Sequence, residues 1–280
     1  MSLSLEARMR PPVDNGVVLL TGASSGIGEA MATILAAQAR VLVVVARREA
    51  RLEALAASLA DARAEIMVLP CDLTDEEATE AMVSAVEAVH GPIDVLINNA
   101  GLGDIGLFSA SSWEKNRRMI DVNITALLFL THRVLPGMVE RGRGGILNVS
   151  SGFGLTWMPI FSAYVATKHF VSSFSESLRT ELSGTGVVVT QLCPGPVATE
   201  FEQVAGNPTG QRIPDFLQIS AGHCARAAIT GFMRGRAVIV PGLMASISIS
   251  LGRLTPSWIL RLLYAPAGRM FRRQRGGGGS

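Results

Sequence analysis

The chain is poor in the residues that metal centres, disulfide frameworks and nucleic-acid interfaces need. Among its 280 residues there are four histidines and three cysteines, and Cys71, Cys193 and Cys224 have neither metal-ligand spacing nor an even number. Charged residues make up 17%, the net charge is +2, and no basic tract is interleaved with aromatics. We therefore expect no metal, no nucleic-acid partner and, because free cysteines suit a reducing compartment, a cytoplasmic setting.

Tyrosine and lysine are scarcer still, with two of each in the chain. One of each lies in the run from Ser162 to Lys168, where Tyr164 and Lys168 are four residues apart. Side chains at this spacing share one face of a helix, and a cation beside a phenol lowers a pKa that starts near about 10. Such a pair can exchange a proton with an alcohol or ketone near neutral pH. A surface pair without chemistry is the alternative for these two residues alone.

Short apolar runs alternate with longer helical patterns along most of the chain. This alternation predicts an α/β fold, a Rossmann-like doubly wound parallel sheet of about seven strands with helices on both faces. We expect a loose leader at 1–12, one dinucleotide-binding catalytic domain at 13–242, an apolar C-terminal extension at 243–275 and a flexible appended linker at 276–280. The predicted strands are Val17–Leu20, Val41–Val45, Ile66–Leu69, Val95–Ile97, Ile146–Val149, Val187–Leu192 and Ala237–Val240. The predicted helices are Glu29–Ala39, Arg48–Leu59, Glu76–Val89, Trp113–Leu135 and Tyr164–Leu182.

A glycine-rich turn follows the first predicted strand and leads directly into a helix. Its glycines permit a tight turn, and the helix N-terminus offers N–H groups and a positive dipole end to a pyrophosphate. An ordinary strand–helix turn is the alternative. The candidate phosphate-binding residues are Gly22, Ser24, Ser25, Gly26, Ile27 and Gly28.

With five further motifs in order, this turn resembles that of the short-chain dehydrogenase/reductase family. The resemblance covers roughly Val17 to Val240. The motifs are Thr21-Gly-x-x-x-Gly-x-Gly28, Asn98-Asn-Ala-Gly101, Asn123 in Asp-Val-Asn, Ser150-Ser151, Tyr164-x-x-x-Lys168 and Pro194-Gly195.

The resemblance implies a role for each of four catalytic residues. Tyr164 is expected to act as general acid in ketone reduction and as general base in alcohol oxidation. Lys168 would hold the nicotinamide ribose and lower the pKa of the tyrosine, and Ser151 would hydrogen-bond the carbonyl oxygen. Asn123 would hold a water that links Lys168 to solvent. A strand-end hydroxyl and a helix-kink amide are the structural alternatives for Ser151 and Asn123.

The end of the second predicted strand indicates the choice of cofactor. An acid there usually binds a free ribose 2′-hydroxyl, whereas this chain has Arg47 and Arg48, which can pair with a 2′-phosphate. We therefore expect NADP(H) rather than NAD(H), with solvated helix-start charges as the alternative. Asp72, followed by Leu73, matches the family residue that faces adenine, although it could instead compete to cap the next helix near Thr74. The other cofactor contacts that the resemblance implies are Asn99, Ala100, Gly101, Tyr164, Lys168, Pro194, Gly195, Val197 and Thr199, while Asn98 is expected to be structural.

Apolar residues between the serine and the tyrosine predict the substrate class. The segment Glu200–Ser220 is rich in Gly and Pro and is a candidate mobile lid. Together they favour a bulky hydrophobic ketone or alcohol, although packing of the lid explains the same aromatics. The predicted substrate-binding residues are Ser151, Phe153, Trp157, Met158, Tyr164 and Phe201, with Leu155 and Phe161 in the same passage.

The segment Leu243–Phe271 breaks the strand–helix alternation, because leucines alternate there with Arg253, Arg261 and Arg269. It could be a docking helix, a pocket lid, a subunit interface or an interfacial membrane helix with peripheral contact. By resemblance we expect a homodimer or homotetramer through Trp113–Leu135 and Tyr164–Leu182. Two other functions stay open, an NAD(H)-dependent hydroxysteroid or lipid-alcohol dehydrogenase and a non-catalytic dinucleotide sensor or scaffold.

Overall fold

The computed structural model describes residues 10–201, 205–206, 214 and 218–276. The strands in this part of the chain are β1 Val17–Thr21, β2 Val41–Ala46, β3 Glu65–Pro70, β4 Val95–Asn98, β5 Gly144–Val149, β6 Val187–Leu192, β7 Val197–Ala198, β8 Ile219–Ser220 and β9 Val238–Ile239. Seven of them form one parallel sheet in the order β3-β2-β1-β4-β5-β6-β9, as predicted, while β7 and β8 pair separately.

Helices connect these strands in the predicted alternation. They are α1 Gly26–Ala36, α2 Glu49–Ser58, α3 Glu76–His90, α4 Trp113–Ile120, α5 Ala126–Glu140, α6 Ser162–Glu181, α7 Ala221–Met233, α8 Leu243–Leu254 and α9 Ser257–Gly276. A π-helical turn, Asp121–Thr125, joins α4 to α5 where one unbroken helix was predicted. Helix α7 was not predicted, although its N-cap, Ser220, accepts a hydrogen bond from the backbone N–H of His223.

The sheet is buried on both faces, which explains its consecutive apolar residues. In β1, Val18 and Leu20 contact one core and Val17 and Leu19 contact the other. Helices α1, α2 and α7 pack on the first face, and α3, α5 and α6 pack on the second. Strand periodicity of two therefore distributes the same apolar run between two cores.

One continuous helical stretch, Trp113–Glu140, is long and apolar enough to cross a membrane by length and composition. Leu130 and Val134 of this stretch are buried in the core, where they pack beside strand residues such as Leu96 and Ile146. Its apolar character is therefore explained by its position in the core.

Residues 11 and 12, which were predicted to belong to a loose leader, pack on the domain. Pro11 is buried, and a Cβ on Gly145 of β5 would lie 2.6 Å from the Pro11 Cβ. Val13 accompanies it in the core and is fully buried. The residues up to 9 lie outside the described part of the chain. Residues 11 and 12 therefore belong with the domain, because Pro11 fills the space that Gly145 leaves open.

The break in strand order between β1 and β4 positions the functional site. From β1 the chain proceeds outward to β2 and β3, then returns to β4 on the other side of β1. The loops after β1 and β4 therefore diverge to opposite faces at the carboxyl edge and leave a crevice. Ligands of open α/β sheets bind in such crevices.

Phe232 of α7 provides a test of the first core. It is fully buried, and its ring lies where a Cβ on Gly145 would be, with the Cζ atom 2.7 Å from that position. We expect Phe232→Ala to lower the free energy of unfolding by about 3–5 kcal/mol, measured by urea denaturation, because it leaves a cavity. Phe108→Ala removes the same ring from a position that is 61% exposed and should cost under about 1 kcal/mol. Equal losses in the two variants would contradict the assigned packing.

Candidate active site

The glycine-rich turn between β1 and α1 has the shape of a phosphate cradle. Gly22 and Gly26 have φ values of 67° and 61°, which favour glycine. A Cβ on Gly28 would collide with the Gly22 carbonyl oxygen, so this turn has room only for glycine at position 28. Ser25, the N-cap of α1, makes no side-chain capping hydrogen bond, which leaves the N–H groups of the first turn to bind an anion. These residues fit a dinucleotide pyrophosphate.

Hydrogen bonds join this turn to the end of β4. The Thr21 hydroxyl donates to the Ile97 carbonyl at 3.2 Å and accepts from the backbone N–H groups of Asn99 and Ala100, each at 3.0 Å. The Asn99 amide donates to the carbonyl oxygens of Thr21 and Gly22, both at 3.0 Å. Asn99 and Ala100 therefore lie at the crevice as predicted.

Asn98 has a different partner set from its neighbour. Its buried amide donates to Asn148 Oδ1 at 2.9 Å and to the Thr131 hydroxyl at 3.2 Å. These contacts join β4 to β5 and α5, and the expected structural role of Asn98 is confirmed.

Arg48 lies against the two serines of the turn. Its guanidinium donates to the Ser24 hydroxyl at 3.1 Å and to the Ser25 hydroxyl at 2.8 Å. A third bond runs to Glu200 Oε2 at 3.1 Å. A guanidinium and two hydroxyls beside the phosphate cradle form a donor set for a second phosphate.

Glu200 was not among the predicted cofactor residues. Its carboxylate also accepts from Arg51 of α2 at 2.8 and 2.9 Å, so two arginines hold it across about 150 residues of sequence. Hydrogen bonds from Arg51 and then Arg48 keep the pKa of Glu200 below its usual range. An acid directly after Thr199 was visible in the sequence, but its arginine partners on α2 depend on the tertiary fold.

Asp72 accepts hydrogen bonds within the protein, but it does not cap the next helix. Its Oδ1 accepts from the Thr74 backbone N–H at 3.2 Å and from the Thr74 hydroxyl at 2.9 Å, while Arg118 donates to Oδ2 at 2.7 Å. Desolvation raises the pKa of Asp72, but these hydrogen bonds and the charges of Arg118 and Arg47 outweigh it and lower the pKa overall. The cap of α3 is Asp75 instead. Leu73 packs on the second core. An adenine contact for Asp72 and Leu73 stays a prediction.

Tyr164 and Lys168 lie on α6 and are both buried, which rejects the surface-pair alternative. The Lys168 Nζ donates to the Val149 carbonyl at the end of β5 at 2.9 Å and lies 5.9 Å from the centre of the Tyr164 ring. A Cβ on Gly101 would lie 3.4 Å from the same Nζ, so the three residues enclose one space.

The direction of the tyrosine pKa differs from the expectation. Burial raises the pKa of Tyr164 to about 12, and a hydrogen bond with Ser151 opposes the rise. Burial also lowers the pKa of Lys168 to about 8, which weakens its hold on a proton. The prediction that Lys168 lowers the phenol pKa is wrong for this arrangement, because loss of solvent dominates the shift and the Lys168 ammonium donates to the Val149 carbonyl. The phenol therefore keeps its proton and can donate it.

The adjacent serines after β5 have different hydrogen-bond partners. The Ser151 hydroxyl accepts from the Phe153 N–H at 3.2 Å and hydrogen-bonds Tyr164. The Ser150 hydroxyl donates to the Lys168 carbonyl at 2.9 Å and bonds the Ser172 hydroxyl at 2.8 Å. Ser151 is therefore the serine that reaches the phenol, whereas Ser150 braces α6.

Asn123 lies in the π-helical turn, and a π turn often occurs at a functional position. Its amide donates to the Leu102 carbonyl at 2.9 Å and to the Thr167 hydroxyl at 3.0 Å, and Oδ1 accepts from the Leu102 N–H at 2.8 Å. Both amide protons are thus used inside the protein, and Oδ1 keeps one lone pair that faces the space near Lys168. The water link stays a prediction with Oδ1 as its acceptor.

Three phenylalanines surround the tyrosine ring. Ring centres lie 6.5 Å apart for Phe153 and Tyr164, 6.4 Å for Phe161 and Tyr164, and 5.4 Å for Tyr164 and Phe201. Trp157 instead packs edge-to-face on Tyr264 of α9 at 5.3 Å. Two predicted substrate residues, Phe153 and Phe201, are therefore at the phenol, while Trp157 lies farther out. Leu155 and Met158 are half-buried in the same loop.

The loop after β6 packs against both the loop after β5 and the phosphate cradle. The Pro194 carbonyl accepts from the Gly152 N–H at 2.7 Å, and a Cβ on Gly26 would touch the Thr199 Cγ2 atom at 3.0 Å. Gly195 and Val197 lie in the same loop, and β7 begins at Val197. Much of the predicted lid, including Pro208, Gly210 and Phe216, lies outside the described residues. The described part places Thr199 next to Gly26 of the phosphate cradle, and the cofactor contacts expected of Pro194, Gly195, Val197 and Thr199 stay predictions.

Comparison with known proteins shows the family in which this set of residues occurs. The model of the short chain dehydrogenase family matches residues 16–208. The chain belongs to the short-chain dehydrogenase/reductase family. It is 41% identical over 191 residues to the NADP-dependent 3-hydroxy acid dehydrogenase YdfG of Salmonella typhi, covering 67% of this chain and 75% of that protein.

A human relative is longer than the matched region. The chain is 39% identical over 200 residues to human dehydrogenase/reductase SDR family member 7. The match covers 69% of this chain and 59% of the human protein. This chain therefore spans less than two thirds of the human protein's length.

Two solved structures of family members share the fold. A short-chain dehydrogenase from Sphingobium yanoikuyae in complex with NADPH has a TM-score of 0.76 and 35% identity, covering 84% of this chain and 91% of that one. A bulky-bulky ketone specific alcohol dehydrogenase from Comamonas testosteroni has a TM-score of 0.71 and 29% identity, covering 91% and 93%. The second likeness covers more of this chain than the family model does.

The two tyrosines permit a direct test of the phenol pKa. In a Tyr264→Phe background, absorbance at 295 nm reports phenolate from Tyr164 alone. We expect ionisation near pH 12, because burial favours the neutral form, recorded within milliseconds of a pH jump while far-UV circular dichroism stays native. The raised pKa also implies that this group's contribution to stability is full below pH 10 and is lost as pH rises toward 12. A native-state midpoint at or below 10 would restore the sequence-based hypothesis.

Proposed function

We propose that this family member transfers hydride between NADP(H) and a ketone or secondary alcohol, as a carbonyl reductase that is reversible as an alcohol dehydrogenase. The observation that carries the proposal is the convergence of Ser151, Tyr164 and Lys168 at the crevice, with the phenol buried and protonated. A dinucleotide sensor needs no such proton donor, so the geometry favours an enzyme.

The nicotinamide ring, when bound, supplies or accepts the hydride. A carbonyl oxygen beside Tyr164 would accept the phenolic proton as negative charge develops, and the Ser151 hydroxyl would stabilise the same oxygen. Lys168, with its pKa lowered to about 8, can replace the proton through the space it shares with Asn123 Oδ1. Alcohol oxidation runs these proton transfers in reverse.

Arg48 supports the choice of NADP(H). A guanidinium already bonded to Ser24 and Ser25 offers a bidentate partner to a 2′-phosphate at the edge of the cradle. Arg47 adds positive potential from the same strand end. The NADP dependence of YdfG and the NADPH complex of the Sphingobium enzyme agree with this choice.

The aromatic wall supports a bulky hydrophobic substrate. The rings of Phe153, Phe161 and Phe201 surround the phenol and favour an apolar substrate group beside it. The ketone specificity of the Comamonas neighbour agrees with such a pocket. We further propose a cytoplasmic homo-oligomer that associates through α5 and α6, where the exposed Phe170 stacks on the half-buried Phe174.

Replacing the proton donor tests the proposed reaction. We expect Tyr164→Phe to lower kcat for ketone reduction by about 10²–10⁴-fold while the Kd for NADPH changes little, since only the hydroxyl is lost. NADPH absorbance with a panel of hydrophobic ketones and alcohols measures turnover, and fluorescence titration measures binding. Tyr264→Phe, the matched loss of the other phenol, should retain activity. Full activity of Tyr164→Phe, or no turnover by the wild type despite tight cofactor binding, would reject the proposal.

Replacing Glu200 tests whether Arg48 binds the 2′-phosphate of the cofactor. A 2′-phosphate and the Glu200 carboxylate would share Arg48, so Glu200→Gln should tighten NADPH binding about two- to fivefold, the scale of an exposed ion pair. NADH, which lacks that phosphate, should bind unchanged. Glu53→Gln makes the same change of net charge on α2 and serves as the control. Equal effects of Glu200→Gln on both cofactors would show that Glu200 acts only as a lid contact.

A further inference from the structure

The C-terminal helices α8 and α9 form part of the pocket wall with one face. A Cβ on Gly195 would lie 2.8 Å from the Ala245 Cβ, and one on Gly152 would lie 2.8 Å from the Ile249 Cδ1. In α9, Tyr264 packs on Trp157 with ring centres 5.3 Å apart. The extension is therefore anchored on the loops that follow β5 and β6, beside the active site.

The opposite face of α8 carries a second apolar stripe. Leu243, Ile247, Leu251 and Leu254 recur at intervals of four, four and three, so they lie on one face, about half a turn away from Ala245 and Ile249. This face is exposed, with 77% of Leu243 and 81% of Leu254 accessible. We call these four residues, with Trp258, Leu262 and Leu263 of α9, the leucine stripe. All seven are exposed in the described chain.

The charge of the extension has one sign. After Pro241 the sequence contains six arginines and no Asp or Glu, although the whole chain has 23 acidic residues. Arg253 and Arg261 are exposed and lie to one side of the leucine stripe on α8 and α9, and Arg269 is also exposed. A surface of leucine and tryptophan flanked by arginine matches the acyl boundary and the anionic headgroups of a bilayer.

We propose that the leucine stripe docks on an anionic lipid surface. The apolar side chains enter the headgroup boundary, Trp258 lies at the interface, and the arginines reach the phosphates. A symmetric contact between two copies would instead bring arginine against arginine without an acid on either helix to pair with them. Charge complementarity thus favours lipid over a second copy.

Docking through this surface also has a consequence for substrate access. This consequence rests on the proposed function. The same two helices line the pocket on their inner face, so a docked protein holds its substrate passage next to the lipid. A ketone dissolved in the bilayer would then reach Tyr164 without crossing bulk water. Vesicle binding is measured without turnover, so failure of the docking and failure of the proposed reaction are distinguishable.

Co-sedimentation of the full chain with vesicles tests the docking. We expect binding to vesicles of phosphatidylcholine with 30% phosphatidylserine and much weaker binding to phosphatidylcholine alone. Leu251→Ser/Leu254→Ser should weaken binding to the anionic vesicles by about tenfold or more, because two apolar anchors are lost. Arg253→Gln/Arg261→Gln should remove most of the preference for phosphatidylserine, as should high salt.

Two controls separate the alternatives. Val89→Ser changes an exposed apolar residue on α3, 69% accessible, and should leave vesicle binding unchanged. Circular dichroism and light scattering establish the fold and the mass of each variant. The proposal is overturned if the wild type does not bind anionic vesicles at low salt. It is equally overturned if Leu251→Ser/Leu254→Ser binds them as the wild type does, or if that variant only converts an oligomer to a smaller species.

Discussion

The hydrogen bonds that join Thr21 to Asn99 and Ala100 are the constraint on which the site depends. They hold together the ends of β1 and β4, the two strands between which the sheet reverses its order. Without them the glycine turn and the loop that leads to Gly101 would be separate flexible segments. With them, one rigid edge presents a phosphate cradle on one side and the enclosed space beside Lys168 on the other. Parallel topology creates the crevice, and the Thr21 hydroxyl joins its two sides.

Burial then determines the chemistry at the other end of the crevice. Solvent exclusion disfavours both the phenolate of Tyr164 and the ammonium of Lys168, so the pKa of the phenol rises to about 12 and the pKa of the amine falls to about 8. A phenol that retains its proton suits donation to a forming alkoxide, and a lysine near its titration point suits proton resupply. The aromatic ring of Phe201 packs beside the Tyr164 ring and belongs to the loop that bears Glu200. The contact with the phenol and the contacts with two arginines are thus linked through one short segment after Thr199.

Local patterns predicted the sheet and the residues that meet at the candidate site, but they did not predict the contacts that form over long sequence separations. The strand runs, the glycine turn and Tyr164-x-x-x-Lys168 are each specified within about ten residues, so they can be read from sequence. The partners of Glu200, the Asp72–Arg118 pair and the contact of Trp157 with Tyr264 each depend on how distant loops meet. The phenol pKa was mispredicted for the same reason, since a short motif shows the neighbouring cation but not the amount of solvent removed. Helix α7 is different, because its apolar spacing and its Ser220 cap were present in the sequence.

The extension after Pro241 lies beside the candidate active site and also bears the surface that is proposed to contact lipid. Helices whose two faces are both apolar are normally buried on both sides, yet α8 buries only the side with Ala245 and Ile249. The same helix that supports Gly152, next to Ser151, therefore also exposes Leu243 and Leu254. A contact on the outer face of α8 would therefore act on a helix that also supports the loop beside Ser151 through Ile249. One helix therefore bears both the surface proposed to dock on lipid and a contact with the loop beside Ser151.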